Sequence, residues 1–484
     1  MTPLKKVIQH FNNNELQEAN QCIVPLLEQN PVNPELWHLY GIIAARQKYN
    51  HLAINSLKKA CALLPDNGNY LFNLANVYRQ ARMIDLAIEN YQNALKYTAN
   101  KRPVFINYGI ALKEKGLYDQ ALSIFLEILK TQVDDLQAYL NIGNVFTEMG
   151  QYTSAISFYE KVLQVQPKND EAHRNKASLL LTQGNLKAGF DTYEWRWAKN
   201  EKYLQRNKKL SLWDGSDLSD KHIFVWGEQS AGDEIIFASV LPELIQKSRQ
   251  VSIECTPTLL SIFMRSFPQA DIIPEKPGIA DEPLLFADAH FQSPTGRLMR
   301  YLRRSFDQFP QESYLKADSI KVKELNAKYY ATDKNMKVGI SWTSFPDSYH
   351  WPKLEQWEPI LSIPDIQFFN LQYGDCSAEI EQMENKLNIK IINDPDIDPQ
   401  KNLDDHAAQI QVMDLVICIG NPTAQLAGAL GQSVWVLLPF SSDWYWFTNR
   451  EDSPWYPCMR LFRQARLKDW EHVMITVSNA LRNR

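Results

Sequence analysis

Large and small apolar residues alternate with polar ones in a pattern that repeats every 34 residues along the first part of the chain. In the first clear unit the large residues are Trp37 and Tyr40, and small residues stand at Gly41 and Ala53. Three further units keep this spacing, with a weaker unit on either side of them. Small residues let two helices cross closely, and large ones fill the gaps between neighbouring pairs. The pattern predicts about six stacked helix pairs, a solenoid over residues 1–197 with a concave binding face.

Beyond about residue 215 the pattern changes to short apolar runs that alternate with segments of helical periodicity. Short apolar runs bounded by turn residues are typical of buried strands, and their alternation with helices is typical of an α/β domain. We expect a linker at 198–214, a first α/β half at 215–330 and a second at 331–484. The predicted strands are His222–Trp226, Val251–Glu254, Ala270–Ile273, Leu284–Ala287, Lys337–Trp342, Ile366–Leu371, Ile389–Asn393, Asp414–Ile419 and Ser433–Leu438.

One stretch of the first half predicts a strand, a tight turn and a helix in succession. His222–Trp226 is the apolar run, Gly227 and Gly232 permit a sharp turn, and 234–244 has apolar residues at helical spacing. In doubly wound α/β domains, ligands bind at the carboxyl end of such a strand. Asp233 would start the helix, either as a plain N-cap or as a catalytic base at the mouth of a cleft. The turn has neither a GK[ST] nor a GxGxxG motif, so it is not a phosphate loop.

Four successive repeats carry an asparagine at their sixth position: Asn73, Asn107, Asn141 and Asn175. Propensity does not explain this choice, because asparagine is a mediocre helix former. A carboxamide offers both a donor and an acceptor, so a row of them toward the concave face can grip the backbone of an extended client peptide. The alternative is that all four are ordinary solvated residues. The row resembles the asparagine ladder of the eukaryotic O-GlcNAc transferase solenoid.

Polar turns after predicted strands supply further candidates. In the second half, Ser341-Trp342 ends one strand, and Gly420-Asn421-Pro422-Thr423 follows another just before a predicted helix. Free N–H groups at such a helix start form an anion or diphosphate site, although an ordinary βα turn has the same pattern. In the first half, His290 stands in a loop predicted after the strand at 284–287. It would either shuttle protons or be a structural or solvated histidine.

Composition and charge limit the kinds of partner that the protein is expected to bind. The net charge is -5 and the pI is near 6.0, which gives no electrostatic footprint for nucleic acid. Six scattered cysteines without a CxxC pair argue against a disulfide framework or a zinc site and fit a reducing cytoplasm. Met1–Phe11 has no apolar signal core, and no apolar run approaches the length of a membrane span. We therefore expect a cytoplasmic protein with no nucleic-acid or membrane partner.

Five motifs of the second part carry a resemblance to a known family: GEQSAGDEIIFASVLPEL, VGISW, LAGALGQSVWVLLPF, DWYWF and REDSPWYPCMRLFRQ. With the repeats before them, the chain resembles the bacterial tetratricopeptide-repeat glycosyltransferases, whose carboxyl half is a heptosyltransferase-like GT-B region. The likeness covers essentially the whole chain. It implies two Rossmann-like halves facing a cleft, with the acceptor mainly on the first and a nucleotide-sugar mainly on the second. It also implies chemistry without a metal, and the absence of a suitably placed DxD motif agrees with that.

The resemblance also assigns roles to residues. Asp233 stands where the family has its proposed base. The residues expected to contact the donor are Ser341, Trp342, Thr343, Lys353, Gln372, Asn421, Pro422, Thr423, Gln425 and Arg460. The residues expected on the acceptor side, besides the four asparagines of the repeats, are Glu228, Gln229 and His290.

Departures from the family pattern concern the donor. The donor helix of the family begins Asp-Thr-x-x-His, and here Gly420 replaces the acid and Gln425 the histidine. A basic residue commonly precedes the Ser/His-x-Pro turn, but this chain has Tyr349 there, and Lys353 is the nearest cation. Either the donor differs, for example a nucleoside monophosphate sugar with a single phosphate, or the site is inactive. The Gly-x-Pro-Thr motif also resembles that of repeat-containing transferases that modify flagellin with sialic-acid-like sugars.

Three functions are compatible with these residues. The first is a protein O-glycosyltransferase, in which Asp233 deprotonates a Ser or Thr hydroxyl of a client held by the solenoid. Its co-substrate would be a CMP- or UDP-linked sugar, with no other cofactor. The second is a non-catalytic binding module with a vestigial GT-B region. The third is a transferase that acts on a lipid or saccharide, with the solenoid serving only for assembly.

Overall fold

The computed structural model describes residues 2–197, 210–228, 230–275, 286, 288–331, 335–344 and 351–484. The chain divides into two compact units, residues 1–172 and 173–484. Among the described residues, no helix has the length and apolar character needed to cross a membrane.

The first unit is built from helices that pack in consecutive pairs joined by short turns. Several begin at an asparagine or aspartate whose side chain accepts hydrogen bonds from the first turn, as Asn67 and Asp135 do. The helices are α1 (Pro3–Asn12), α2 (Leu16–Gln29), α3 (Pro34–Arg46), α4 (Asn50–Leu63), α5 (Gly68–Gln80), α6 (Ile84–Tyr97), α7 (Arg102–Lys115), α8 (Tyr118–Thr131), α9 (Leu136–Glu148) and α10 (Tyr152–Val165).

The 34-residue pattern sets the packing inside each pair. Tyr91, Phe125 and Tyr159 stand at this spacing on the second helices of successive pairs, and all three are fully buried. A Cβ atom added at Gly109 would lie 2.5 Å from the Phe125 ring, and one at Gly143 would lie 2.5 Å from the Tyr159 ring. Glycine therefore makes room for the aromatic ring of the partner helix. The predicted tetratricopeptide-type solenoid is confirmed.

A sixth helix pair, α11 (Asp170–Thr182) and α12 (Leu186–Tyr193), stands at the start of the second unit. Phe190 and Tyr193 of α12 pack on Trp444, with ring centroids 5.8 and 5.6 Å apart. This aromatic contact joins α12 to the α/β part of the chain. The sequence analysis placed the end of the solenoid at residue 197, and this boundary stays a prediction.

The first sheet of the second unit is parallel, with strand order β1-β5-β2-β3-β4. Its strands are β1 (Ser211–Leu212), β2 (His222–Trp226), β3 (Gln250–Cys255), β4 (Asp271–Pro274) and β5 (Phe291–Pro294). The helices that follow along the chain are α13 (Ala231–Phe237), α14 (Leu241–Lys247), α15 (Leu260–Ser266), α16 (Thr295–Leu302) and α17 (Ser319–Tyr330).

Three details of this half differ from the sequence-based prediction. Strand β1 lies inside the predicted linker, of which 198–209 is outside the described residues. The segment 291–294 is a strand instead of the predicted loop, and Phe286, in the predicted strand 284–287, lies in a turn. The predicted helix 234–244 is interrupted by a short 3-10 segment, because Pro242 cannot donate a hydrogen bond in a helix interior and starts a new helix.

The second sheet has the order β11-β12-β10-β9-β6-β7-β8 and is parallel except for β11. Its strands are β6 (Met336–Ser341), β7 (Ile366–Asn370), β8 (Ile391–Ile392), β9 (Leu415–Ile419), β10 (Val434–Leu438), β11 (Asp452–Ser453) and β12 (Tyr456–Arg463). Its helices are α18 (Glu358–Leu361), α19 (Ser377–Leu387), α20 (Leu403–Val412), α21 (Pro422–Ala429) and α22 (Trp470–Arg482). The sequence analysis gave Ser433–Leu438 as the last strand, but β12 follows it and pairs beside it.

One continuous apolar core joins the two halves of this unit. It contains Val225 of the first sheet, Val416 and Val436 of the second, and the buried faces of α13 and α21. A second core covers the other face of the second sheet, under α22. The predicted α/β architecture is therefore present, and the carboxyl ends of both sheets lead into α13 and α21.

Candidate active site

The turn between β2 and α13 is held by a buried ion pair. Arg196 donates from Nε and Nη2 to the two carboxylate oxygens of Glu228, at 2.9 Å each. The backbone N–H of Gly296, at the start of α16, also donates to Glu228. Both partners are almost completely buried. Glu228, predicted on the acceptor side, is thus fully engaged in fixing the turn, and its contact with an acceptor stays a prediction.

Asp233 stands in the first turn of α13, but it is not the N-cap. Ser230 is the N-cap, and its hydroxyl accepts from the Asp233 N–H at 3.3 Å while donating to Asp233 Oδ2 at 2.7 Å. The N-cap interpretation of Asp233 is therefore wrong. Its partly buried carboxyl group has a raised pKa, mainly because burial disfavours the charged form, with contributions from the negative charges of Glu228 and Asp443.

Asp443 is a second carboxylate beside Asp233. Its negative charge contributes to the raised pKa of Asp233, and the neighbouring Trp444 ring stacks on Phe237, one helical turn after Asp233, with centroids 6.5 Å apart. Tyr445 donates its hydroxyl to Asp443 Oδ2 at 2.9 Å. The Asp443 residue keeps exposed surface, while desolvation by the protein packed around its carboxyl group raises its pKa. Accessible carboxyl groups with perturbed pKa values are typical of a concave functional surface.

The start of α21 faces the start of α13. A Cβ atom added at Gly232 would lie 3.7 Å from Cγ of Pro422, so the two helix starts are in near contact. Asn421 is the N-cap of α21, and its side chain accepts from the N–H of Ala424 at 3.3 Å. We call this meeting of 230–233 with 421–425 the helix-start junction.

Three predicted donor residues meet at the carboxyl ends of the neighbouring strands β9, β6 and β7. Gln372 Oε1 accepts from Ser341 Oγ at 3.0 Å and from the N–H groups of Trp342 and Thr343 at 3.0 and 2.9 Å. Asn421 Nδ2 donates to Ser341 Oγ at 2.7 Å. The side chains of Ser341, Gln372 and Asn421 are buried and use most of their polar atoms on one another. The sequence thus identified residues that come together.

Two other donor candidates have internal partners. The Trp342 ring is buried in the second core, and its Nε1 donates to Glu379 at 2.7 Å. Gln425 Oε1 accepts from the hydroxyl of Tyr456 at 2.7 Å. The Gln425 amide nitrogen is buried and has no hydrogen-bond partner among the described residues. Gln425 therefore keeps one unsatisfied donor in the first turns of α21.

The structure places two predicted site residues elsewhere. His290 precedes β5, and its Nδ1 accepts from the His222 N–H at 3.2 Å, so it lies at the amino end of the first sheet and not at the carboxyl end. Arg460 pairs in register with Trp435 near the amino end of β10. It lies three residues before Arg463, about 10 Å from the carboxyl edge. Neither residue therefore lies at the carboxyl edge of its sheet, and their contacts with substrates stay predictions.

Of the residues that the sequence analysis singled out, Lys353, Gln229 and Tyr349 remain to be placed. Lys353 is exposed just before the 3-10 helix 354–357, and its approach to a donor stays a prediction. Gln229 and Tyr349 lie outside the described residues. Among the described residues, no group of three or more His, Cys, Asp or Glu side chains is arranged to hold a metal ion.

The asparagine row differs in availability from one repeat to the next. Asn73 donates to His38 Nε2 in the preceding pair at 2.8 Å. Asn141 is only 4% exposed and donates to the backbone oxygen of Gln137 at 2.8 Å. Asn107 is partly buried in α7, and its side chain has no hydrogen bond to another described residue. Asn175 is the sixth residue of α11 and belongs to the second unit. Among the asparagines of the row that belong to the first unit, Asn107 is therefore the one whose carboxamide is most available to a ligand.

Comparison with known proteins supports the repeats. Family models for the tetratricopeptide repeat match residues 68–101 and 136–169. Protein FlbA from Caulobacter vibrioides is 31% identical over 313 residues, which cover 61% of this chain and 52% of that protein. The chain thus spans about half the length of this curated relative.

The solved structures that match part of this chain include tetratricopeptide proteins of low sequence identity. The crystal structure of MamA is 19% identical, covers 33% of this chain and 94% of its own, and has a TM-score of 0.31. YrrB, described as a tetratricopeptide protein with an unusual peptide-binding site, is 21% identical, covers 35% and 88%, and has a TM-score of 0.32. A tetratricopeptide repeat protein from Parabacteroides merdae is 19% identical, covers 41% and 79%, and has a TM-score of 0.39.

Proposed function

We propose that this tetratricopeptide-repeat protein is a protein O-glycosyltransferase. The solenoid binds a segment of a client protein, and the α/β unit transfers a sugar from a nucleotide-sugar to a Ser or Thr hydroxyl. The observation that carries the proposal is the Asp233 carboxyl group, which has a raised pKa at the junction of two helix starts. A base with a pKa nearer to neutral accepts a hydroxyl proton more effectively.

In this mechanism Asp233 acts as the general base. The Ser230 hydroxyl orients the carboxylate by donating to Oδ2, which leaves Oδ1 to accept the proton of the client hydroxyl. The client oxygen attacks the anomeric carbon as the bond from that carbon to the phosphate oxygen breaks, so the configuration inverts. Proton transfer is concerted with attack, because a hydroxyl is far less acidic than a carboxylic acid.

The start of α21 can stabilise the charge that develops on the leaving phosphate. Pro422 has no N–H, and the N–H groups of Ala424 and Gln425 bond to Asn421. The N–H of Thr423 is the one in this turn with no partner among the described residues. It provides one neutral donor for a phosphate, and the buried Gln425 amide nitrogen would have to turn toward the ligand to provide a second.

A non-catalytic binding module is the second candidate, and the surroundings of Gly420 favour it. A Cβ atom at this position would lie 2.8 Å from Nε1 of Trp446, so the indole occupies the space beside the position where the resembling family has an acid. The nearby network of Ser341, Gln372 and Asn421 is already closed. In this reading the protein binds clients through its solenoid without transfer.

Donor hydrolysis separates the two candidates without knowledge of the client. We expect one class of UDP- or CMP-linked sugar to bind in calorimetry and to be hydrolysed slowly, with water replacing the client hydroxyl. Asp233→Asn should reduce nucleotide release roughly a hundredfold to ten-thousandfold, the usual share of general-base catalysis. Donor affinity should be retained, because Asp233 is on the acceptor side.

The matched control is Asp220→Asn, which neutralises an exposed aspartate before β2 and should leave hydrolysis unchanged. Full activity of Asp233→Asn would remove it from the mechanism. No calorimetric heat with any nucleotide-sugar at millimolar concentration would favour the binding module.

A further inference from the structure

A cavity of about 460 Å³ lies between the last strand and the last helix of the chain. Its walls come from β12, from the first turns of α22 and from the segment 449–451. Strand β12 is separated from β6 by β10 and β9, so it is about 14 Å from the strand that carries Ser341. The cavity is therefore distinct from the network of predicted donor residues.

The charge of this cavity is opposite to that of the chain. Arg450, Arg460 and Arg463 line it together with a single carboxylate, Glu451. Arg450 also forms a bidentate pair with Asp452, at 3.0 and 2.6 Å. Even with that pair counted, the three guanidinium groups outnumber the two carboxylates in a protein whose net charge is -5. An anion is therefore attracted to this site specifically, and not by the protein as a whole.

Arg460 keeps most of its hydrogen-bonding capacity for a ligand. Its guanidinium lies 4.6 Å from the Phe462 ring centroid, and its nearest acidic partner, Glu451, is 3.9 Å away. Stacking on an aromatic face leaves the N–H groups in the guanidinium plane free to donate. The planar fork matches the oxygens of a phosphate.

The wall of the cavity also contains a buried amide. Gln464 is 4% exposed, and its Oε1 accepts from the Phe440 N–H at 3.1 Å. Its amide nitrogen is buried without a hydrogen-bond partner among the described residues. Unsatisfied buried donors are rare in proteins, because each loses its bonds to water. Because this nitrogen is shielded from solvent, it donates to an anion oxygen only if the Gln464 side chain turns toward the cavity.

We propose that this cavity is a second ligand site, which binds a small molecule bearing a diphosphate. Its volume exceeds that of a single phosphate ion and lies in the range of small-molecule sites. Arg460 contacts the phosphate oxygens, and Phe462 and Val473 pack against the less polar part of the ligand. Arg463 donates to the backbone oxygens of Trp446 and Phe447 and so forms the fixed wall of the site.

Calorimetric titration of the full chain with inorganic diphosphate at low salt tests this proposal. Arg460→Gln should weaken binding at least tenfold, since it removes the charge-assisted bonds of one guanidinium. The matched control is Arg482→Gln, which removes the same charge from an exposed position of α22, ten residues and about 15 Å beyond His472 of the cavity wall. The affinity of Arg482→Gln for diphosphate should stay within twofold of that of the wild type.

Two outcomes would overturn the proposal. Equal weakening in both variants would show that the protein's general field attracts the anion, and the absence of saturable binding in the wild type would show that there is no site. Because Arg460 is half exposed, the variant should fold normally, which thermal unfolding checks. Binding of nucleotide-sugars at the helix-start junction is a separate measurement, and it should be the same in Arg460→Gln and the wild type.

Discussion

Removing Arg196 should loosen the turn that carries the proposed base. The side chains of Arg196 and Glu228 are 6% and 1% exposed, and two 2.9 Å hydrogen bonds join them. In Arg196→Met the hydrocarbon stem is roughly kept, but Glu228 is left in the interior with only the N–H of Gly296 as a described partner. Glu194, which also accepts from Arg196, keeps its pairing with Arg297.

The size of the effect follows from the uncompensated charge. Breaking a buried ion pair by removing one partner costs about 3 to 5 kcal/mol, because the remaining charge has lost both water and its counterion. Replacing both partners is much less costly, since no charge is then left buried. The double variant Arg196→Met, Glu228→Gln should therefore be more stable than the single variant.

Hydrogen exchange measured by mass spectrometry on peptides within 222–244 is a suitable assay, because it reports opening of this turn without a two-state assumption for the whole chain. A loss of about 3 kcal/mol accelerates exchange roughly 150-fold. Peptides of α5 in the first unit serve as the internal reference and should not change. Exchange in the single variant within threefold of the wild type, or faster exchange in the double variant, would refute the assignment of a stabilising buried pair.

Two further predictions concern stability and client binding. Burial lowers the pKa of His406 to about 4, below its unfolded value near 6.5, so the unfolded state binds more protons between these values and stability falls with acidification. We expect acidification from pH 7 to pH 5 to lower the free energy of unfolding of the wild type by about 2 kcal/mol more than that of His406→Leu, as measured by urea unfolding. Asn107→Ala should weaken binding of a client peptide in calorimetry, whereas Asn141→Ala should not, because Asn141 is buried on its own backbone. Wild-type affinity in Asn107→Ala would exclude the carboxamide row from the groove.

The solenoid could be predicted because its packing is local. Phe125 and Gly109 are 16 residues apart on consecutive helices, and the same pairing returns 34 residues later at Tyr159 and Gly143. A contact within one helix pair leaves a fixed spacing in the sequence, and repetition makes the spacing visible. What repetition does not show is which asparagine of the row remains available, since that depends on each local partner.

The cap of α13 was predictable from the sequence but was assigned to the wrong residue. The segment from Ser230 to Asp233 has the spacing of a capping box, in which the serine caps and the acid three residues later bonds back. The structure has this arrangement in part, with the serine hydroxyl bonded to both the N–H and the carboxylate of Asp233. Because the serine caps the helix, the Asp233 carboxylate is not needed as the cap. A role in proton transfer is therefore chemically reasonable.

Arg460 shows where prediction from one sequence ends. Whether a residue of β12 reaches the ligand edge depends on its register against β10, and a strand carries no mark of the level at which it pairs. A shift of three residues would have put Arg460 in the place of Arg463, at the carboxyl edge. Asp443 was missed for a related reason, because only the packing of Trp444 on Phe237 brings it beside Asp233. The motifs therefore identified the strands that meet at the site, while tertiary contacts decide which charged side chains face it.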